Sequence, residues 1–345
     1  MWRKTVVWLI AALTLSIFVA PIAAREGWAQ NTGKVYRVGV VVVLPPNLLP
    51  PNAPRPSFPG GPLGRALLDR LANHGYIEGK NLVIEARFGG YERLAELAAE
   101  LERLHVDVIF TGGTRAARIV SDAVKETPLV IHSCDPFEHV ARLARPEGNL
   151  TGVTCMTTEL SPKRLELLKE VVPNAVRVDY LSDPDDAPPG LKLTQDAAPR
   201  LGIKLHVTDV QAADRLQTWG ESDLRIALSA VAKEHPDALF VYPDPILIAE
   251  RKQIAEFAVT NRLPTMFAFR EFVDAGGLMS YGSSLREMGA SAGEQVAKIL
   301  DGTRPSELPV EQATRFELVI NLKTARALGI TIPPSLLGRA DEVIE

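Results

Sequence analysis

Very little of the usual catalytic vocabulary is present in this chain. No G-x-x-x-x-G-K-[ST] loop occurs, so no Walker-type nucleotide hydrolysis is encoded. No strand is followed by G-x-G-x-x-G, and neither a G-x-S-x-G nucleophile elbow nor an H-E-x-x-H or C-x-x-C pair is found. A basic excess is also missing: 38 Lys and Arg stand against 42 Asp and Glu, for a formal charge of −4. Duplex binding relies on clustered cations that neutralise phosphates, which sets nucleic acid aside as a partner. Cysteine is scarce, with only Cys134 and Cys155. In an oxidising compartment their bridge would close a short loop worth roughly 3 kcal/mol, and two buried free thiols fit the sequence equally well.

Long apolar runs are absent except at the N-terminus. Met1-Trp2-Arg3-Lys4 carries two positive charges and is followed by "TVVWLIAALTLSIFVAPIAA" without a charge. This is the pattern of a signal peptide spanning 1–29, with small residues at Gly27 and Ala29 for cleavage before Gln30. The run is also long enough to span a bilayer as an uncleaved anchor. No cysteine near its end offers a lipid attachment point. The expectation is a periplasmic protein, exported and cleaved.

What remains is an alternation of strand and helix signals. "VYRVGVVVVL", "NLVIEARF", "VDVIFTG", "PLVIHS" and "NLTGVTC" are apolar runs of the kind a parallel sheet buries on both faces. Amphipathic segments such as "LGRALLDRLANHGYIEG" and "YERLAELAAELERL" separate them. A second series begins with "SPKRLELLKEVV", where Ser161 reads as N-cap and Pro162 as first helical residue. It continues through "VRVDYLS", "IKLHVTDV", "ALFVYPD", "TMFAF" and "LMSYG". The fold class is therefore α/β, two doubly wound parallel-sheet lobes, joined by a short extended link near 149–153. One stretch breaks the rhythm: residues 44–62 hold eight prolines. They read as a surface loop, or as a rim over a ligand at the end of the first strand.

The candidate site starts from "VDVIFTGGTRAARIV". A buried strand gives way to a helix through Gly112 and Gly113, with Thr114 at the helix start. Helix N-termini expose unpaired N–H groups and a partial positive charge, and glycines let a ligand approach the backbone. A carboxylate or other small oxyanion is the expected guest, with Thr114 either capping the helix or turned to the ligand. A tight βα turn with a capping Thr explains the same residues without a ligand. Asp135 or Asp244 would meet an ammonium group, and Tyr242, Phe269 and Tyr281 would form an apolar wall, unless these strand-end aromatics are simply core. Arg270 and Glu271 read as solvent-facing. "HSCDPFEH" (132–139) contains metal-ligand residue types, but Asp135-Pro136 and Asp244-Pro245 are each simpler as cap and first helical residue, so no metal is expected.

Several longer pieces together resemble a known family, the exported substrate-binding proteins of ABC transporters that include the TrpX-like binders. They are "HGYIEGKNLVIEARF", "GGTRAA", "LARPEGNLTGVT", "KRLELLKEVVP", "REFVDAGGLMSYG" and "FELVINLKTARALGITIPPSLLGRADEVIE", and the resemblance spans residues 35–345. It implies a type I periplasmic-binding fold with three crossovers. One lobe would hold 35–150 plus 279–304 and the other 151–278 plus 305–345, "GGLMSYG" returning the chain to the first. Cleft-facing loops would map to Gly112-Gly113-Thr114, Asp135, Tyr242 to Asp244, and Tyr281-Gly282. The implied partners are a small-molecule ligand and separately encoded permease and ATPase subunits, with a monomeric receptor, no cofactor and no catalysis. A periplasmic sensor for a membrane signalling protein would have the same fold. An exported hydrolase built on His132, Asp135 or Glu138 is the remaining alternative. The proline-rich loop and "HSCDPFEHVARL" depart from the family pattern, so ligand identity does not transfer from the aromatic-amino-acid binders.

Overall fold

The computed structural model describes residues 33–44, 48, 61–134, 148–184, 188–211, 218 and 220–345. The segment expected to be a signal peptide, nearly all of the proline-rich stretch, and Asp135 with its neighbours through 147 lie outside the described residues. Among the described residues no helix is long and apolar enough to cross a membrane.

Along the chain the first series is β1 (Tyr36–Val43), α1 (Pro62–Asn73), β2 (Leu82–Gly89), α2 (Leu94–Arg103), β3 (Val108–Gly112), α3 (Thr114–Ala123), β4 (Leu129–Ser133) and β5 (Leu150–Thr154). The second series is α4 (Thr157–Val171), β6 (Arg177–Ser182), α5 (Pro188–Ala197), β7 (Lys204–Asp209), α6 (Glu221–Glu234), β8 (Ala238–Val241), α7 (Pro245–Ala249), α8 (Arg251–Thr260), β9 (Thr265–Phe267), α9 (Arg270–Asp274) and β10 (Met279–Gly282). Then come α10 (Leu285–Leu300), β11 (Glu311–Gln312), β12 (Glu317–Asn321), α11 (Leu322–Leu328), α12 (Pro334–Leu337) and β13 (Glu342–Ile344).

These strands form two sheets, in the orders β11-β5-β4-β3-β1-β2 and β13-β12-β10-β9-β8-β6-β7. Pairing is parallel except where β12 runs against β10. The valine-rich β1 lies between β3 and the edge strand β2, with Val38 opposite both Ile84 and Val108, and is covered on both faces. One buried apolar cluster fills the first lobe and runs on into one face of the second sheet, through residues such as Leu239, Ile246, Leu247 and Phe269. A second cluster, with Leu168, Tyr180, Phe240 and Met279, fills the opposite face.

The chain crosses between sheets three times, slightly later than the sequence suggests. Residues 150–154 are paired in full register with β4, so the link expected at 149–153 is a strand of the first sheet. The crossing follows at Cys155 and Met156, the latter in a left-handed conformation (φ 57°). Segment 276–282 does not return the chain to the first lobe. It ends in β10, held between β9 and β12 of the second sheet, and the return comes at Ser283-Ser284. The third crossing follows β11. Helix α4 starts four residues before the expected cap. Pro162 lies inside it, and Ser161 bonds back to the carbonyl of Thr157 at 3.0 Å. Intrahelical bonding has already begun at Leu160, whose amide donates to the Met156 carbonyl at 3.3 Å, so Pro162 removes an interior donor and leaves the Thr158 carbonyl without its i+4 partner.

Helix α10 belongs to the first lobe despite following β10. It lies against α1 so closely that a Cβ on Gly289 would sit 2.1 Å from the Leu63 carbonyl oxygen, and one on Gly293 2.7 Å from that of Leu67. Two glycines one helical turn apart thus set the distance between these helices.

Candidate ligand-binding site

The turn between β3 and α3 is built as its residues require. Thr111 is fully buried and donates its hydroxyl to the Val41 carbonyl at 3.0 Å, tying the end of β3 to β1. Gly113 has φ 100° and ψ 138°, a conformation that suits glycine. It is the N-cap of α3, and no side chain caps that helix. Thr114 is therefore the first helical residue rather than the cap. Its buried hydroxyl accepts from Ser133 Oγ at 3.3 Å.

A second helix start faces it from the other sheet. Asp244 caps α7, its Oδ1 accepting from the amides of Ile246 at 2.7 Å and Leu247 at 3.0 Å, with Pro245 in the first helical position, as the Asp-Pro pair predicts. Pro245 is seated on Gly113, where a Cβ would come within 2.6 Å of its Cγ. The two helix N-termini approach each other across the gap between the sheets.

Around this point the lobes are linked by polar contacts. Tyr91 of the first lobe donates its hydroxyl to Asp244 Oδ2 at 2.9 Å and its amide to Thr218 Oγ1 at 2.5 Å. Thr218 donates its amide and hydroxyl to Glu92 Oε2 at 3.1 and 2.9 Å. Arg115, on the first turn of α3, stacks 4.1 Å above the Tyr91 ring and reaches within 3.7 Å of Asp183 Oδ2. Asp183 and Asp244 are both buried. Burial first, and the neighbouring Asp183 charge second, hold the Asp244 carboxyl well above the ordinary carboxylate range. Two carboxylates and one guanidinium thus share a desolvated space beside an uncapped helix start.

This arrangement belongs to a recognisable family. The model for ABC transporter substrate binding proteins matches residues 64–344. The chain is a member of that family. The substrate-binding protein is 24% identical over 269 residues to a curated "Tyrosine-binding protein" of Clostridioides difficile (strain R20291), covering 76% of this chain and 75% of the relative. A conserved domain protein from Vibrio cholerae O1 biovar El Tor has a crystal structure that superposes with TM-score 0.77 at 27% identity, covering 90% of this chain and 100% of that one. An ABC domain from Streptococcus pneumonia crystallised in complex with L-Trp gives TM-score 0.76 at 23% identity with the same coverage. The fold is that of type I periplasmic binding proteins, as the resemblance implies.

Of the residues the sequence of this substrate-binding protein suggests, Gly112, Gly113, Thr114 and Asp244 meet at the facing helix starts. Asp244 is already committed to the α7 cap and to Tyr91, which leaves it little capacity for an ammonium. Phe269 is buried in the cluster that joins the lobes. Tyr242 is in the second lobe's core: its ring packs 6.1 Å from that of Tyr180 and covers Gly190. Tyr281 is half-buried, 6.4 Å from Phe316. Arg270 stays partly exposed and pairs at the surface with Glu342 at 2.8 Å. Glu271 is buried, and that burial pushes its carboxyl up to about 7.

Sequence reasoning missed Tyr91, Glu92, Arg115, Asp183 and Thr218. Asp183 carries a usable signal, an acid directly after a buried strand, where open α/β sheets bind ligands. Thr154, Thr158 and Ser182, at the ends of β5 and β6 and the start of α4, likewise bury hydroxyls that find no hydrogen-bond partner. A separate recess of about 350 Å³, lined by Ser283, Ser284, Glu287, Glu311 and Thr314, lies among the crossovers instead of between the helix starts.

Proposed function

We propose that this protein is an exported receptor that closes its two lobes on an α-amino acid and delivers it to an ABC importer whose permease and ATPase are separate chains. Sheet membership supports lobes of 33–155 with 283–312, and 156–282 with 313–345, hinged at the three crossings. The ligand carboxylate takes the start of α3 at Thr114, which no side chain caps and where the helix dipole favours an anion, beside a Gly113 amide that is already donated to the His132 carbonyl at 2.8 Å. Its ammonium meets Asp183, and closure is driven by contacts made to both lobes at once. The observation that carries this reading is the pairing, across one gap, of an uncapped helix start with a buried carboxylate on the opposite lobe. That relatives are named for tyrosine binding and crystallised with L-Trp supports the amino-acid class. The apolar run at 5–24 supports a periplasmic location.

A thermal-shift screen of the mature protein against amino acids, small carboxylates and neutral sugars tests it. A ligand at about a hundredfold excess over Kd stabilises by about 2.7 kcal/mol. Asp183→Asn should lose the response to the amino acid while keeping most of any response to the same molecule without its amine. A shift produced by sugars alone would overturn the assignment.

A further inference from the structure

The end of β4 and the start of the first crossover bring three soft donors together. A ring nitrogen of His132 and the sulfurs of Cys134 and Cys155 lie within 4.8 Å of one another, all three residues buried. Cys134 and Cys155 are joined as a disulfide, their Cα atoms 4.8 Å apart. His132 Nε2 is buried with no hydrogen-bond partner, which is uncommon for a buried polar atom. Thr157 Oγ1 sits 2.9 Å from Cys155 Sγ, placed to donate to a thiolate there. The backbone holds the group firmly: the Cys155 amide donates to the Ser133 carbonyl at 3.2 Å, and Ser283, at the second crossing, donates to the Cys155 carbonyl at 3.2 Å.

We propose that His132, Cys134 and Cys155 form, once the disulfide is opened by a dithiol reductant, a buried binding site for a thiophilic cation of the Zn²⁺ class at the hinge. Reduction transfers two electrons and two protons from the dithiol to the S–S bond, giving two cysteine thiols and the cyclic disulfide of the reductant. Binding then displaces both thiol protons to solvent and forms two metal–thiolate bonds and one metal–imidazole bond. Tetrahedral zinc holds two sulfurs about 3.8 Å apart at bond lengths of about 2.3 Å, a spacing that these donors reach with small side-chain rotations. Neutral imidazole with two thiolates is a donor set that selects zinc over magnesium or calcium. This inference is independent of the amino-acid reading.

The test is titration of the purified protein with Zn²⁺ alone against a chromophoric chelator, with Co²⁺ as a spectroscopic substitute, after dithiol treatment and anaerobic removal of the reductant. Reduced wild type should take one equivalent of Zn²⁺ and give a thiolate-to-cobalt charge-transfer band, and the disulfide form should take none. His132→Ala should keep the band but weaken zinc at least about tenfold, the cost of losing even an outer-shell partner. Cys134→Ser and Cys155→Ser should each lose the band. Alkylating the reduced wild-type thiols gives the same comparison without a substitution, and far-UV circular dichroism identifies the folded samples. Folded, reduced wild type that leaves zinc with the chelator would overturn the proposal, as would a Cys134→Ser/Cys155→Ser variant that binds zinc like wild type.

Discussion

Replacing Gly113 with alanine separates the cost of folding from the cost of closing. Its φ of 100° and ψ of 138° lie in a region that side chains rarely enter. A methyl there costs about 1–3 kcal/mol in any folded state, open or closed. At roughly 2–4 °C per kcal/mol the thermal midpoint falls by a few degrees. Closing adds a separate term. The new Cβ would stand 2.6 Å from Pro245 Cγ, against an optimal carbon–carbon separation of about 3.5–4.0 Å. The proline ring is rigid, so α7 must back away by roughly 1 Å, which strains the Tyr91–Asp244 bond across the lobes. Affinity for an amino acid that stabilises wild type should drop at least about tenfold, equivalent to about 1.4 kcal/mol. Truncating the opposing ring removes the collision but not the backbone strain. Isothermal titration should therefore show Gly113→Ala/Pro245→Ala recovering most of the affinity while its thermal midpoint stays low. If Gly113→Ala binds as wild type does, or the double variant binds as weakly as the single one, the two lobes do not close where α3 meets α7.

Three further outcomes can be checked by urea unfolding. The buried His132 ring is held to about 4 against about 6.5 in the unfolded chain, so the unfolded state binds the extra proton between these values. The stability it contributes is complete above pH 6.5 and is lost as pH falls to about 4, about 3 kcal/mol in all. Substituting Gln should flatten that part of the pH profile, and an unchanged slope would show that the ring is solvated. Arg164 is fully buried in α4 and donates to the carbonyls of Tyr281 at 2.8 Å and Thr157 at 2.9 Å. Arg164→Met should cost about 2–3 kcal/mol by stranding these acceptors, and a loss under about 0.5 kcal/mol would refute it. Gly289→Ala should cost about 1–3 kcal/mol by pushing α10 from α1, and a neutral result would mean that these helices pack less tightly than described.

Much of the fold was legible because its signals are local. Apolar runs such as 36–43 and 108–112 can be satisfied only inside a sheet covered on both sides, and the helices between them carry one apolar face. The facing helix starts were half visible for the same reason: Gly112-Gly113-Thr114 and Asp244-Pro245 are turn chemistry written in neighbouring residues. Their partners were not. Tyr91 and Asp244 are 153 positions apart, and Tyr91 and Thr218 are 127. Arg115 adjoins the Gly112-Gly113-Thr114 turn and could have been read from it, whereas nothing near Tyr91 in sequence distinguishes a cleft residue from an ordinary surface one. Tyr242 misled in the opposite direction, because a strand-end aromatic has the same local pattern whether it faces a ligand or the core. The start of α4 escaped because Ser161-Pro162 imitates a helix cap, whereas the actual entry is a left-handed methionine, which has no sequence signature.

Because α10 supplies Met288, Ala292 and Val296 to the apolar interior around β1, β3 and β4, and β11 completes the edge of that sheet beside β5, the N-terminal half of the chain cannot finish its own lobe. A growing polypeptide must emerge past residue 312 before the lobe begun at residue 36 can be sealed. Assembly is thus deferred until nearly the whole molecule is available, and a truncation after β5 should yield a sticky intermediate in place of an autonomous module.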